Sequence, residues 1–246
     1  MVGYNSQRSV KYSWAVKEIV SKNTRDFRGS LAYDGVKRLL DVSLAVLGTI
    51  LAAPLAALIA AAVRIFSSGP VIFSQMRLGE NGRSFTIYKF RTLPWEPERD
   101  SFAESGDPRW MEVTPPEAGV LGGALRRTGL DELPQLWNVL RGEMSMVGPR
   151  PERPNFVSRF RREHPGYRRR MQVKPGITGW AQIHGLRGRC DIGERLRFDL
   201  YYLKHRSLWL DLRILLLTPF GLLRHPGDRP SSRDFAPEAE GVLGAD

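Results

Sequence analysis

The feature that most constrains this chain is a run of 22 residues without a formal charge, VSLAVLGTILAAPLAALIAAAV, at positions 42–63. As a straight helix rising about 1.5 Å per residue it would reach about 33 Å, enough to cross a hydrocarbon core of about 30 Å. Pro54 sits in its middle. Proline has no N–H and its ring clashes with the carbonyl four residues back, here Ile50, so a kink is predicted there. The limbs on either side would measure roughly 18 and 15 Å, each about half a bilayer. Lys37 and Arg38 precede the run and Arg64 follows it. Positive charge on both flanks removes the inside/outside bias that a simple span carries. Three readings fit these residues: a helix that enters one leaflet and returns to the same face, a kinked span, and a buried alanine-rich helix. The first two share membrane contact, which is what the run predicts.

The formal net charge is +11, which makes polyanions the natural partners: nucleic acid, phosphorylated ligands or an acidic membrane surface. Apolar residues at 42% exclude a wholly disordered chain. Cys190 is the single cysteine, so no internal disulfide can form. The four histidines are scattered without zinc-like neighbours, which excludes a structural zinc site. The opening MVGYNSQRSVKYSW has no apolar core and does not read as a secretory signal, so the bulk of the protein is expected in the cytosol.

Residues 1–34 read as a basic arm with one short helix near Trp14–Val20, and residues 225–246, rich in proline, glycine and acid, as a disordered tail. Between them, VIFSQ and SFTIYKFR bracket a Gly-Glu-Asn-Gly turn, a hairpin signal. Five prolines in 94–119 predict a long loop. A helical region is expected over 120–141, where Leu133, Leu136, Trp137 and Leu140 share one face and Gly142 ends the helix. VKPGITGWAQI supplies a Pro-Gly turn. The apolar segment 208–223, interrupted by Asp211 and Arg213, suits an interfacial or core-packed amphipathic helix. The fold class is therefore mixed α/β (α+β): a helix-rich cytosolic domain with a short β-hairpin, seated on one membrane-penetrating helix pair.

The densest polar constellation is RRTGLDELPQLWNVLRGEMSMVGPRP, residues 126–151. Asp131 and Glu132 stand immediately before a helical pattern. Asp131 can be a helix N-cap with Glu132 adding favourable charge at the positive helix end. Arg126 and Arg127 lie just upstream, however, and Arg150 occupies the rigid VGPRP turn downstream. Paired carboxylates among guanidiniums at a helix start also suit phosphoryl chemistry, which needs a nucleophile or metal ligand and cations for the phosphate oxygens. Lys89 and Arg91, two apart on one strand, can join that cluster or form a solvated edge. Residues 150–174 carry nine basic residues against two acids. Arg159, Arg161, Arg162 and Arg168–Arg170 are expected to face anionic lipid headgroups.

The ordered blocks VKRLLDVSLAVLG, VIFSQMRLGENGRSFTIYKFRT, LRRTGLDELPQLWNVLRGEMSMVGPRP, VKPGITGWAQIHGLRG and FDLYYLKHRSLWLDLRILLLTPF resemble the bacterial sugar transferase family, the monotopic phosphoglycosyl transferases, over roughly residues 34–224. The resemblance implies a sugar transferase domain over 35–224, with a re-entrant helix–break–helix near 36–66 in one leaflet and a catalytic region over 70–224. It implies transfer of a sugar-1-phosphate from a UDP-sugar to polyprenyl (undecaprenyl) phosphate at the cytosolic face of the bacterial inner membrane, opening exopolysaccharide-type glycan assembly. UDP-glucose and UDP-galactose are the favoured donors. Asp131 matches the family's nucleophile, Glu132 its dyad partner, and Lys89 and Arg126 its basic positions. Pro54 matches its helix-breaking proline, and Ala53 stands where a serine is common. Arg187 is chosen for the arginine after the Pro-Gly segment, and Arg150 is a further phosphate-binding candidate. Mg²⁺ is expected, held by Asp131 and Glu132. Two other classes compete: a nucleic-acid-binding protein, against which the apolar run and the lack of a reading helix argue, and a non-catalytic membrane scaffold that binds anionic lipid.

Overall fold

The structure is a computed structural model that describes residues 31–97, 100–101, 119–187 and 190–224. The expectations for residues 1–30 of the N-terminal arm, the C-terminal tail and most of the 94–119 loop lie outside the described residues, while residues 31–34, expected in the arm, are helical.

The apolar run forms the core of α1, a helix of 36 residues, Leu31–Phe66. It is long and apolar enough to cross a membrane by length and composition. The expected interruption is not a break in secondary structure, because helical backbone continues through Pro54. Proline removes one N–H donor from a long helix, and flanking turns carry the remainder. One turn before it, the Thr49 hydroxyl donates to the Ala45 carbonyl at 2.7 Å, a back-bond that favours bending.

One face of α1 packs on the rest of the protein. Asp41, Ala45, Ile59 and Val63 are buried, and Gly48, Ala52, Ala56 and Ala60 are half-buried. These positions recur every three or four residues and so share a helix face. Most of them are small, which lets neighbours approach closely; Leu136 sits against Gly48. The first half of the helix packs through Ala45 with Ile87, Leu136, Val139 and Met144. The second half packs through Ile59 and Val63 with Phe90 and Leu125. In between, Ile50, Leu51, Ala53, Pro54 and Leu55 are exposed.

Polar contacts fix the start of α1. Arg38 donates to the carbonyls of Val139 (2.7 Å) and Leu140 (2.9 Å), satisfying the end of the helix α3 described below. Asp41 accepts from the Met146 amide at 3.0 Å.

The hairpin forms as expected. Strands β1 (Ile72–Leu78) and β2 (Ser84–Phe90) pair antiparallel, with Phe73 opposite Lys89. The region 120–141 departs from expectation. It is α2 (Val120–Thr128), a left-handed Gly129 (φ 71°), a 3₁₀ turn (Leu130–Glu132) and α3 (Gln135–Leu140). Glycine adopts that φ without steric penalty and ends α2 there. The predicted apolar face is real for Leu136, but Trp137 is 56% exposed. Gly142 follows α3 at φ 80° and ends it as expected.

A second sheet was not legible in the sequence. Strands β3 (Ser145–Val147) and β4 (Gly176–Thr178) pair in parallel, so the Pro-Gly segment is a strand start as well as a turn. Helix α4 (Pro154–Glu163) and a 3₁₀ turn (Tyr167–Gln172) connect them. Then follow α5 (Trp180–Ile183), α6 (Ile192–Lys204) and α7 (Leu208–Arg224). Helix α7 buries Leu210 and Ile214 against Tyr202 and Val147 while Trp209, Leu216 and Phe220 are exposed. Its Asp211 accepts from the hydroxyls of Tyr33 (2.9 Å) and Tyr202 (2.7 Å), tying α7 to α1 and α6.

The parallel pair is closed around glycines. A Cβ on Gly176 would press into the Gly148 backbone and the Thr178 carbonyl, whereas Gly123, within α2, has nothing within 4 Å. Gly176→Ala is expected to destabilise by about 1–3 kcal/mol and to lower Tm. Gly123→Ala should be neutral or gain up to about 1 kcal/mol from helix propensity. Thermal melts of the two variants in one detergent check the contrast.

Candidate active site

Strand β2 delivers the first residue. Side chains two apart share a strand face, and Ile87 is buried at 3% exposure, so Lys89 extends along the same inward face. Its Nζ donates to Glu132 Oε1 at 2.8 Å and lies 4.0 Å from Asp131 Oδ2. Asn138 braces this segment. It is fully buried, donates to the Thr86 carbonyl (2.6 Å) and Glu143 (2.7 Å), and accepts from the Tyr88 amide (3.3 Å). Nothing in the sequence singled out Asn138 beyond a polar residue inside an apolar helical pattern.

The carboxylates come from the 3₁₀ turn that Gly129 makes possible. Asp131 and Glu132 are 6% and 7% exposed. The N-cap alternative is not what the structure adopts: neither the 3₁₀ turn nor α3 has a side-chain capping bond. Arg150 arrives from the loop after β3 and donates through Nη2 to Glu132 Oε1 at 2.9 Å. Glu132 therefore holds two cations on one oxygen, while Asp131 stands beyond hydrogen-bond distance of Lys89.

Arg126 leans from the last turn of α2, donates to Thr92 Oγ1 at 2.8 Å, and contributes to the field at Asp131. Arg187, after α5, contributes to the field at Glu132. The structure thus gathers Lys89, Arg126, Arg150 and Arg187 around the two acids. Arg91 leaves the cluster: β2 ends at Phe90, and Arg91 is buried against Asp100 and the Pro70 carbonyl. Arg170 also departs from its expected lipid-facing role. It is 3% exposed and paired with Asp199 at 2.8 Å, because the 3₁₀ turn directs it inward. Arg161, Arg162 and Arg168 are exposed, and Arg159 pairs with Glu163 at 2.7 Å on the surface. Ala53 and Pro54 lie in α1, and no contact places them beside the acids.

The electrostatics separate the two acids. For Glu132, burial works to raise the carboxyl, but Arg150, Lys89 and Arg187 outweigh it and hold it well below the usual glutamate range. Burial lifts Asp131 above the usual aspartate range; Lys89 opposes the lift, the Glu132 charge adds to it, and Arg150 and Arg126 oppose it. Burial likewise pulls the Lys89 ammonium down, against the attraction of Glu132. Among the described residues no group of three or more His, Cys, Asp or Glu side chains assembles a metal cage. A cation here would rest on the two acids and on ligands brought by substrate.

The bacterial sugar transferase family model matches residues 32–225, most of the chain and the whole of this site. The chain belongs to that family. Among its relatives in the bacterial sugar transferase family is UDP-glucose:undecaprenyl-phosphate glucose-1-phosphate transferase of Escherichia coli K12, 45% identical over 76% of this chain and 40% of the relative. UDP-N-acetylgalactosamine-undecaprenyl-phosphate N-acetylgalactosaminephosphotransferase of Aeromonas hydrophila is 42% identical over 77% of this chain and 45% of the relative. A Caulobacter vibrioides protein that bears the same name as the Escherichia coli one is 42% identical over 78% of this chain and 72% of the relative. The chain spans less than half the length of the first two.

The opposite displacements of the two acids can be read directly by carbon-13 NMR titration of labelled aspartate and glutamate. Asp131 should protonate first as pH falls, above the ordinary aspartate range, with Glu132 still ionised. Lys89→Met should move Asp131 further up, since a cation favouring its charged form is gone. Glu132→Gln should bring it down, since a like charge disappears. Protonation of Glu132 before Asp131 would contradict the assignment.

Proposed function

We propose that this sugar transferase moves a sugar-1-phosphate from a UDP-sugar to polyprenyl phosphate, with Asp131 as nucleophile. The observation that carries the reading is the unequal treatment of the acids. Glu132 is locked by Lys89 and Arg150, whereas Asp131 is less paired and more basic. A carboxylate with weaker charge compensation is the better nucleophile, and the surrounding cations favour its ionised form against the effect of burial. The names of the relatives support the donor and acceptor classes.

In the first step an Asp131 oxygen bonds to the sugar-bearing phosphorus. The bridging P–O bond of the pyrophosphate breaks and UMP leaves with the electron pair. In the second, a phosphate oxygen of the polyprenyl phosphate attacks the same phosphorus. The acyl-phosphate bond breaks, Asp131 returns to its carboxylate, and the polyprenyl diphosphate sugar is formed. Lys89, Arg126, Arg150 and Arg187 supply positive charge where phosphate oxygens gather, the type of preorganised stabilisation that lowers such barriers. Covalent catalysis divides one difficult displacement into two.

The residues fit Mg²⁺ of the phosphate-bridging kind, which takes one or two carboxylates and completes its shell with water and substrate oxygens. Both cations on Glu132 share Oε1, so Oε2 is the oxygen through which it would bind, with Asp131 beside it. When bound, the ion offsets the pyrophosphate charge that repels a carboxylate.

The same proposal places α1 in one leaflet of the inner membrane with the domain on the cytosolic face. Both halves of the helix pack on one domain, Pro54 and its immediate neighbours Ala53 and Leu55 are exposed, and both flanks are basic. A straight span would need that domain to follow it through the bilayer. A re-entrant path keeps the acids at headgroup depth, where a polyprenyl phosphate presents its phosphate.

Two measurements test these readings. Asp131→Asn should abolish UMP release from labelled UDP-glucose, and omission of lipid acceptor should trap a phosphosugar adduct on Asp131 in the unmodified protein. Wild-type turnover by Asp131→Asn would end the covalent proposal. For topology, single cysteines near residues 36 and 66, in a Cys190→Ser background, should both resist labelling from the periplasm. Labelling at one flank only means a span.

A further inference from the structure

The loop that presents Arg150 has an unusual hydrogen-bond economy. Pro149 and Pro151 flank Arg150 and lack amide donors, so outside donors to its carbonyls must hold the loop. All four carbonyls of residues 149–152 have one. The Gly176 amide donates to Pro149 (3.0 Å), Arg170 Nη2 to Arg150 (2.8 Å), Arg77 Nη1 to Pro151 (3.1 Å), and the Leu78 amide to Glu152 (2.9 Å). Two of the four are therefore arginine side chains that reach in from β1 and from the 3₁₀ turn before β4.

These arginines are themselves fixed. Arg170 donates through Nε to Asp199 of α6 at 2.8 Å and through Nη1 to the Tyr167 hydroxyl at 3.0 Å. Arg170, Asp199 and Tyr167 are each 2–3% exposed. Arg77 also donates to Gln75, its neighbour on the same strand face. Arg195 of α6 pairs with the Glu152 carboxylate. Helix α6 thus contacts the loop twice, directly through Arg195 and indirectly through Asp199 and Arg170.

We infer that Arg170, oriented by Asp199, and Arg77 are positioning residues for the transfer reaction: they clamp the two carbonyls that follow the Arg150 side chain, its own and that of Pro151, so that its guanidinium is held on Glu132. None of them touches the acids in the geometry above; they act through Arg150. The inference rests on the proposed role of Arg150 at the phosphate-binding cluster. Its chemistry is positional, since a misplacement on the order of 1 Å can lower a rate about 100-fold.

The test uses the full chain in detergent, with UDP-glucose and undecaprenyl phosphate as probes. Arg150→Ala should lower kcat on the order of 100-fold. Arg170→Lys and Asp199→Asn should each lower kcat about 10-fold with little change in KM, since lysine keeps the charge but cannot bridge Asp199 and the loop carbonyl together. Arg77→Lys is the second variant should either of these fail to fold. In an Arg150→Ala background the Arg170→Lys effect should vanish, the signature of two residues that act as one unit. Hydrogen exchange gives a readout free of activity: amides of residues 145–153 should exchange faster in Arg170→Lys, while those of 40–60 in α1 stay as they were. Multiplicative losses in the double variant, or unchanged exchange across 145–153, overturn the clamp. Absence of UMP release by the unmodified protein overturns the transferase reading instead, and the exchange result still decides the clamp.

Discussion

The site depends on one buried carboxylate held by two cations. Glu132 Oε1 receives Lys89 from the hairpin and Arg150 from the loop after β3, so three segments distant in sequence meet at one oxygen. Burial of an isolated carboxylate is prohibitive, and removing one partner from a buried pair typically costs about 3–5 kcal/mol. The arrangement therefore locates the segments relative to one another as firmly as packing does. It also divides the labour between adjacent acids. With both cations bonded to Glu132, whose single charge offsets only one of them, Asp131 is left close to positive charge without being hydrogen-bonded to it, which suits the nucleophile role proposed for it.

The long apolar helix belongs to the same architecture. Two of the four hydrophobic clusters contain α1 residues: Ala45 in one, Ile59 and Val63 in another. Those clusters also contain Ile87 and Phe90, the neighbours of Lys89 on β2, and Leu136, next to the braced Asn138. The helix is thus the floor on which the strand carrying Lys89 rests. In the proposed membrane placement, a helix that supplies core residues to the domain fixes the height of that domain above the lipid, because neither can tilt without the other. Arg38 on the carbonyls of Val139 and Leu140, and Asp41 on the Met146 amide, add direction to that apolar contact.

What the sequence disclosed follows from how local each signal is. The apolar run, the hairpin and the polar cluster of 126–151 were legible because contiguous residues carry them. The break inside 120–141 was not, although Gly129 was in plain view, because a glycine inside a helical pattern is often tolerated and only the tertiary site requires its left-handed turn. The β3–β4 pair was invisible, because three-residue parallel strands separated by α4 leave no period to detect. Arg170 was misjudged for a related reason. The other eight basic residues of 150–174 are exposed or half-buried, and what distinguishes Arg170 is its set of buried partners, above all Asp199 on another helix.

The Pro-Arg-Pro loop shows how rigidity is obtained at a functional position and where its cost appears. Prolines restrict the backbone before folding begins, which reduces the entropy lost on ordering the loop. They also remove two donors, so the loop must be gripped by its acceptors, and arginine can supply such grip from a distance. Arg77 shows the strain of this solution. Burial, with the nearby Arg153 charge adding to it, pushes its guanidinium down to about 9, and among the described residues its Nε has no hydrogen-bond partner. A cation kept in so unfavourable a setting, while its Nη1 holds the Pro151 carbonyl, is what a chain would tolerate where the placement of the adjacent side chain matters more than local stability.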